Sequence, residues 1–154
     1  MTFLSISIDT TSYRFEEQVK RGGNILCNFY LEVNEIYFPD NPWLDFPVIV
    51  LKWWIDNCIL LINTDGEIDN SFMNGPYEFI TVKNQDSIKL SFRKRSLNNF
   101  DDIATPVEIP FSTYRQALLQ AADILINALE QYSVSGRELD KLKASVNLFR
   151  SSDV

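Results

Sequence analysis

Residues Phe46 to Ile62 are apolar at nearly every position, so no wide polar face is available for solvent and the rest of the chain must enclose this segment. Asp45 followed by Phe46-Pro47 reads as an N-cap region with a proline in the first turn. Asn63-Thr64-Asp65-Gly66 ends the helix, glycine being the usual residue just past a helical C-terminus or in a turn. Lys52, Asp56 and Asn57 interrupt the run, which is too short and too charged for a membrane span. A central helix, buried on most sides, is therefore expected.

The enclosing elements follow from periodicity. Phe3, Leu4, Ile6 and Ile8, separated in part by serines, predict a short opening strand rather than a signal peptide, because no Lys or Arg precedes an apolar run. This places the chain in the cytoplasm. Thr10 to Gly23 is polar, with a turn at Gly22-Gly23 and a helical turn at Glu16 to Arg21. Asn24 to Phe38 is rich in aromatic and β-branched residues and predicts one long strand or a bent one, stopped by Pro39 and Pro42.

Pro76 to Lys83 and Ser87 to Arg95 form a predicted hairpin about Asn84-Gln85-Asp86, with Ile80 and Val82 facing Ile88, Leu90 and Phe92. Val107 to Phe111 adds a further strand before a helix capped by Ser112 and running to about Gln131, with an apolar stripe through Tyr114, Leu118, Ala121, Leu125, Ala128 and Tyr132. Ser135-Gly-Arg-Glu138 matches a capping box, and Leu139, Leu142, Val146 and Phe149 continue an apolar face behind it. Strands first and helices later predict an α+β fold: a single domain, residues 1–154, with an antiparallel sheet packed against the buried central helix and two C-terminal helices. At 154 residues the chain can bury a core without disulfide or metal.

The absence of histidine removes a large block of chemistry: no Ser-His-Asp triad, no Cys-His pair, no His-ligated zinc. Neither GxGxxG nor GxxxxGK[ST] occurs, so nucleotide-dependent catalysis has no support. Paired carboxylates could serve glycoside hydrolysis, but among 21 acids some pair always looks plausible. Asp65-Gly-Glu67-Ile-Asp69-Asn70 invites comparison with a calcium loop; Asn70 stands where the pattern needs Gly and Pro76 where it needs Glu. Cys27 and Cys58 lie in separate apolar runs without redox or zinc spacing and read as buried free thiols, a structural disulfide being the minority reading. The expectation is a non-enzymatic protein with no cofactor and no metal.

Charge is what remains. Between Gly22 and Val82 one base, Lys52, stands against nine acids, while the rest of the chain holds 13 bases and 12 acids. Such a field repels nucleic acid and anionic lipid and attracts a basic protein. Lys89, Arg93 and Arg95 alternate along one strand face and read as a solvated face rather than a nucleic-acid patch. Adjacent helical residues point about 100° apart, so Trp53 and Trp54 cannot share one face; core packing is expected for both. Trp43, in a proline-flanked acidic loop, is the better interface candidate.

The residues Phe38-Pro-Asp-Asn-Pro-Trp-Leu-Asp-Phe-Pro-Val-Ile-Val-Leu-Lys-Trp-Trp54, with Phe72-Met-Asn-Gly-Pro-Tyr77 downstream, resemble small bacterial proteins that include the immunity proteins of contact-dependent growth inhibition systems. The similarity covers about residues 30 to 95. It implies an intracellular antidote that binds a cognate toxin domain, often a nuclease, and blocks its active site. A nuclease presents basic residues to phosphates, and an acidic protein surface can occupy the same groove. The expected contacts are Asp65, Glu67, Asp69 and Asn70 in the loop after the central helix, with Asp40, Trp43 and Asp45 before it; Asp101 and Asp102, in a separate acidic loop, are the second choice. The alternative is an acidic interaction or structural subunit of a larger assembly without a toxin partner.

Overall fold

A computed structural model describes residues 3–11, 14–21, 24–132 and 136–152. Two antiparallel sheets, rather than the single one expected, pack with three long helices around one continuous core. The first sheet holds β1 (Leu4–Asp9), β2 (Cys27–Val33), β3 (Ile36–Phe38) and β4 (Leu44–Asp45), with β2 central. Helix α1 (Phe15–Arg21) lies between β1 and β2 in sequence. The second sheet is a meander of β5 (Gly66–Ser71), β6 (Tyr77–Asn84), β7 (Ser87–Ser96) and β8 (Asn99–Pro110). The helices are α2 (Pro47–Leu61), α3 (Phe111–Gln131) and α4 (Arg137–Ser151).

Helix α2 is the predicted central helix, and Trp54 makes it the joint between the sheets. Its indole stacks on Phe29 of β2 at 5.0 Å between ring centroids and meets Phe79 of β6 edge-on at 4.9 Å. Its Nε1 donates to the Ser71 carbonyl at 2.9 Å, so the one polar atom of a fully buried side chain is satisfied. Phe38 of β3 meets Phe92 of β7 at 5.1 Å and closes the two sheets over the same core. Helices α3 and α4 cover the remaining apolar surface through Tyr114, Leu118, Leu125, Leu142 and Phe149, the stripe positions read from the sequence.

Several local expectations are corrected. The 24–38 segment is a hairpin: Asn34 and Glu35 both take positive φ, 49° and 69°, the paired left-handed conformation of a two-residue turn matched to strand twist. In the β6–β7 hairpin the expected faces are exchanged. Thr81 and Lys83 point inward, opposite Leu90 and Ile88, while Ile80 and Val82 lie on the outward face, opposite Ser91 and Lys89. Inward polar groups are tolerated because they are paired: Asn70 Nδ2 donates to Thr81 Oγ1 at 3.2 Å, and Lys83 Nζ reaches Asp65 Oδ1 at 3.3 Å while sitting over the Phe111 ring.

The strand expected at Val107 begins at Asn99 and includes Asp101 and Asp102, which are therefore not in a loop. The expected cap region is where α2 begins: Phe46 is the N-cap residue and Pro47 opens the helix, with no side chain, Asp45 included, capping it. Ser112 does not cap α3 either, because that helix starts one residue earlier, after Pro110. The N-cap of α4 is Gly136, and the Gly22-Gly23 turn and Ser135 lie outside the described residues.

Candidate partner-binding site

Of the first-choice acids after the central helix, Glu67 and Asp69 lie on β5, an edge strand, and Asp65 immediately precedes it. At a rise of roughly 3.4 Å per residue, Glu67 and Asp69 are roughly 7 Å apart along the strand and, two positions apart, share one face. Asp65 accepts from the Gln85 backbone N–H at 2.9 Å and from Lys83 Nζ; the amide, and then the ammonium, hold its carboxyl below the usual range despite some desolvation. Glu67 and Asp69 are exposed, on the outward face. Asn70 is buried: its amide bridges Phe79 O and Thr81 Oγ1 and accepts from Asn57 Nδ2, so it fastens β5 to β6 and α2 instead of meeting a partner.

Asp45 is also removed from the candidate surface, since none of it is exposed. Its carboxylate accepts four hydrogen bonds: Phe46 N and Met73 N on Oδ1, Trp43 Nε1 and Asn74 N on Oδ2, at 2.8 to 3.2 Å. These bonds staple the 42–46 and 72–75 segments together. Trp43 is half-buried, edge-on to Tyr77 at 5.1 Å, and a Cβ on Gly75 (φ +69°) would come within 3.1 Å of its ring. Asp40 is exposed. The sequence motif at 38–54 and 72–77 is thus one structural unit with a polar buried staple.

The outward face of the second sheet is charge-matched. Arg93 Nε pairs with Glu78 Oε1 at 2.8 Å, where the Glu78 side chain is only 8% exposed, and Arg93 also reaches Asp69 at 3.7 Å. Its guanidinium lies 4.2 Å over the Phe100 ring. Asp102 stands opposite Arg93 and Glu108 opposite Lys89 on this face, whereas the next pair, Lys94 with Asp101, turns to the other face, where Lys94 lies over the Tyr77 ring. Folding therefore brings Arg93, from beyond residue 82, against Glu78 and Asp69 of the acidic segment, while the acids opposite Arg93 and Lys89 on the other side come from β8.

Two surfaces escaped the sequence reading. Trp53, expected in the core with Trp54, is 40% exposed, and with Met73 it edges an open groove of about 530 Å³ between α2 and β5. Asp56, Asn57 and Asp69 line the same groove. Asp56 is held by Lys52 and by Ser145 Oγ at 2.7 Å. Asp56 and Asn57, three and four residues after Trp53, mark its side of the helix as the polar one, a cue that the apolar bulk of the run obscures.

The other is the outward face of the first sheet, where Tyr30 and Tyr37 pack edge to face at 6.0 Å and Glu32 stands opposite Tyr37. The charge of the Glu32 carboxylate, then desolvation, then the hydrogen bond that Glu32 accepts from the phenol raise the Tyr37 hydroxyl above its ordinary range, with smaller contributions from Tyr30 and Glu35. Phe3, beside Asn34 at the end of this face, is 56% exposed.

Cys27 and Cys58 are buried and free, and burial pushes both thiols up to about 12, far from nucleophilic use. Among the described residues no helix is long and apolar enough to cross a membrane. Compared with protein-family models, curated proteins and solved structures, the chain matches none.

Proposed function

We propose that this chain is a non-catalytic immunity protein that, in the cytoplasm, binds a basic toxin domain, a nuclease being the best-fitting class, and silences it by covering its active site. The observation that carries this reading is the groove edged by Trp53 and Met73 and walled by Asp56 and Asp69. Exposed Trp and Met beside carboxylates suit a lysine or arginine from a partner: the indole face takes the cation, the carboxylates take its N–H groups, and the thioether adapts around its stem. The ion pairs already present there, Lys52 with Asp56 and Arg93 with Asp69, are partly exposed and exchange at little cost. The resemblance at 38–54 and 72–77 supplies the toxin context.

The test is co-expression with a basic protein encoded beside this chain. A stoichiometric complex and protection of growth are expected, and Trp53→Ala should weaken binding by about 2 kcal/mol, the scale of an interface anchor, without lowering the melting temperature. Loss of both complex and protection removes the proposal. A stable complex with a partner that is not toxic selects the other reading, an acidic subunit of a larger assembly.

A further inference from the structure

We propose that the outward face of the first sheet is a second docking surface, shaped for a Lys/Arg-rich segment of a partner protein; this rests on the reading that the partner is basic. None of β1, β2, β3 or β4 contains a lysine or arginine. Just before α1, Arg14 pairs with Glu17, and within it Lys20 pairs with Glu16; Arg21, exposed at the end of α1, is the one further base of this segment. Among the described residues no ion pair engages Glu32, Glu35 or Asp40.

The face is also aromatic. Tyr37 is 42% exposed and Phe3 56%, and the Tyr30–Tyr37 pair presents rigid rings over which a guanidinium can stack. Leu4 and Ile6, the inward residues of β1, take the core and α3, so the helices leave the outward side open. Charge chooses the occupant. Nucleic acid and anionic lipid are repelled, and a second copy docked about a twofold axis would set Glu32 and Glu35 against their own equivalents. A basic protein segment meets both the rings and the carboxylates.

Nitrogen-15-labelled full chain, titrated with an Arg-Ser repeat peptide at low ionic strength, tests this directly. Saturable amide shifts are expected at Ser5, Ser7, Tyr30, Glu32 and Tyr37. Glu32→Lys with Glu35→Lys should weaken binding about tenfold, while Asp123→Lys with Glu130→Lys, the same change in net charge on α3, should alter it less than about twofold. If the lysine pair does not fold, as judged by spectral dispersion, Glu32→Gln with Glu35→Gln should still weaken binding about threefold. Shifts confined to Asn57, Asp69 and Met73, equal effects of the two lysine pairs, or no saturable binding would each overturn the docking surface. The toxin-binding reading is judged separately, by complex formation and protection in co-expression.

Discussion

On the outward face of the second sheet, Glu78 and Asp69 converge on Arg93, and Asp102 lies across from the same arginine. On the outward face of the first, Glu32 meets the Tyr37 hydroxyl and, among the described residues, no ion-pair partner, and none of its four strands carries a base. Both faces draw on the same acidic stretch of sequence. The difference is which segment folds beside it: β5 and β6 pair into a meander whose next strand is basic, whereas β2 pairs with strands that have no base to offer. Net charge along a chain therefore says little about where a field emerges, because sheet pairing cancels part of it.

The largest expected effect breaks both faces together. Trp54→Ala removes the indole wedged between Phe29 and Phe79 and should cost about 3–5 kcal/mol, a large share of a domain's stability, measured by denaturant unfolding. The next separates the faces. Arg93→Ala strands the nearly buried Glu78 carboxylate and should cost about 2 kcal/mol, while Glu32→Gln on the first sheet should stay within about 0.5 kcal/mol. Equal costs would mean that the two faces are held together in the same way.

A smaller effect follows from pH. The carboxyl of Asp65 is depressed in the folded state, so its contribution is present above the unfolded carboxylate pKa and is lost as pH falls through the folded value. Asp65→Asn should therefore flatten the acid limb of stability against pH, read from melting temperatures between neutral pH and about 3, and leave the alkaline limb unchanged.

Much of the fold was legible. The apolar-rich 46–62 run, the β6–β7 hairpin and the stripe through Tyr114, Leu118 and Leu125 lie where the sequence pattern put them. What failed was whatever depended on tertiary pairing. Thr81 and Lys83 look like an outward face until Asn70, Asp65 and Phe111 arrive from other elements to satisfy them. Asp45 has the composition of a cap and becomes a buried staple because the 72–75 segment supplies two donors from 28 and 29 residues away.

The candidate site was less legible for the same reason. Of the expected contacts, Asp45 and Asn70 are interior and Asp65 is spoken for by Lys83 and Gln85. Asp69 survives in the Trp53 groove, and Asp40 and Glu67 stay exposed. Glu32 and Tyr37 could have been found only by recognising the Asn34-Glu35 turn, since that turn sets the pair opposite each other.

The central claim is that the first sheet carries unopposed negative charge able to recruit a basic partner, whereas on the second most of it is met by Arg93 and Lys89, leaving only the β5 edge, where Glu67 is exposed and Asp69 borders the Trp53 groove. Affinity of the co-expressed basic partner, measured by calorimetry at low and at physiological salt, decides it with two charge-reversed pairs. Glu32→Lys with Glu35→Lys should lose about tenfold in affinity and most of the salt dependence, and Asp101→Lys with Asp102→Lys should lose much less of either. The opposite order, with the β8 pair dominating, would contradict the account.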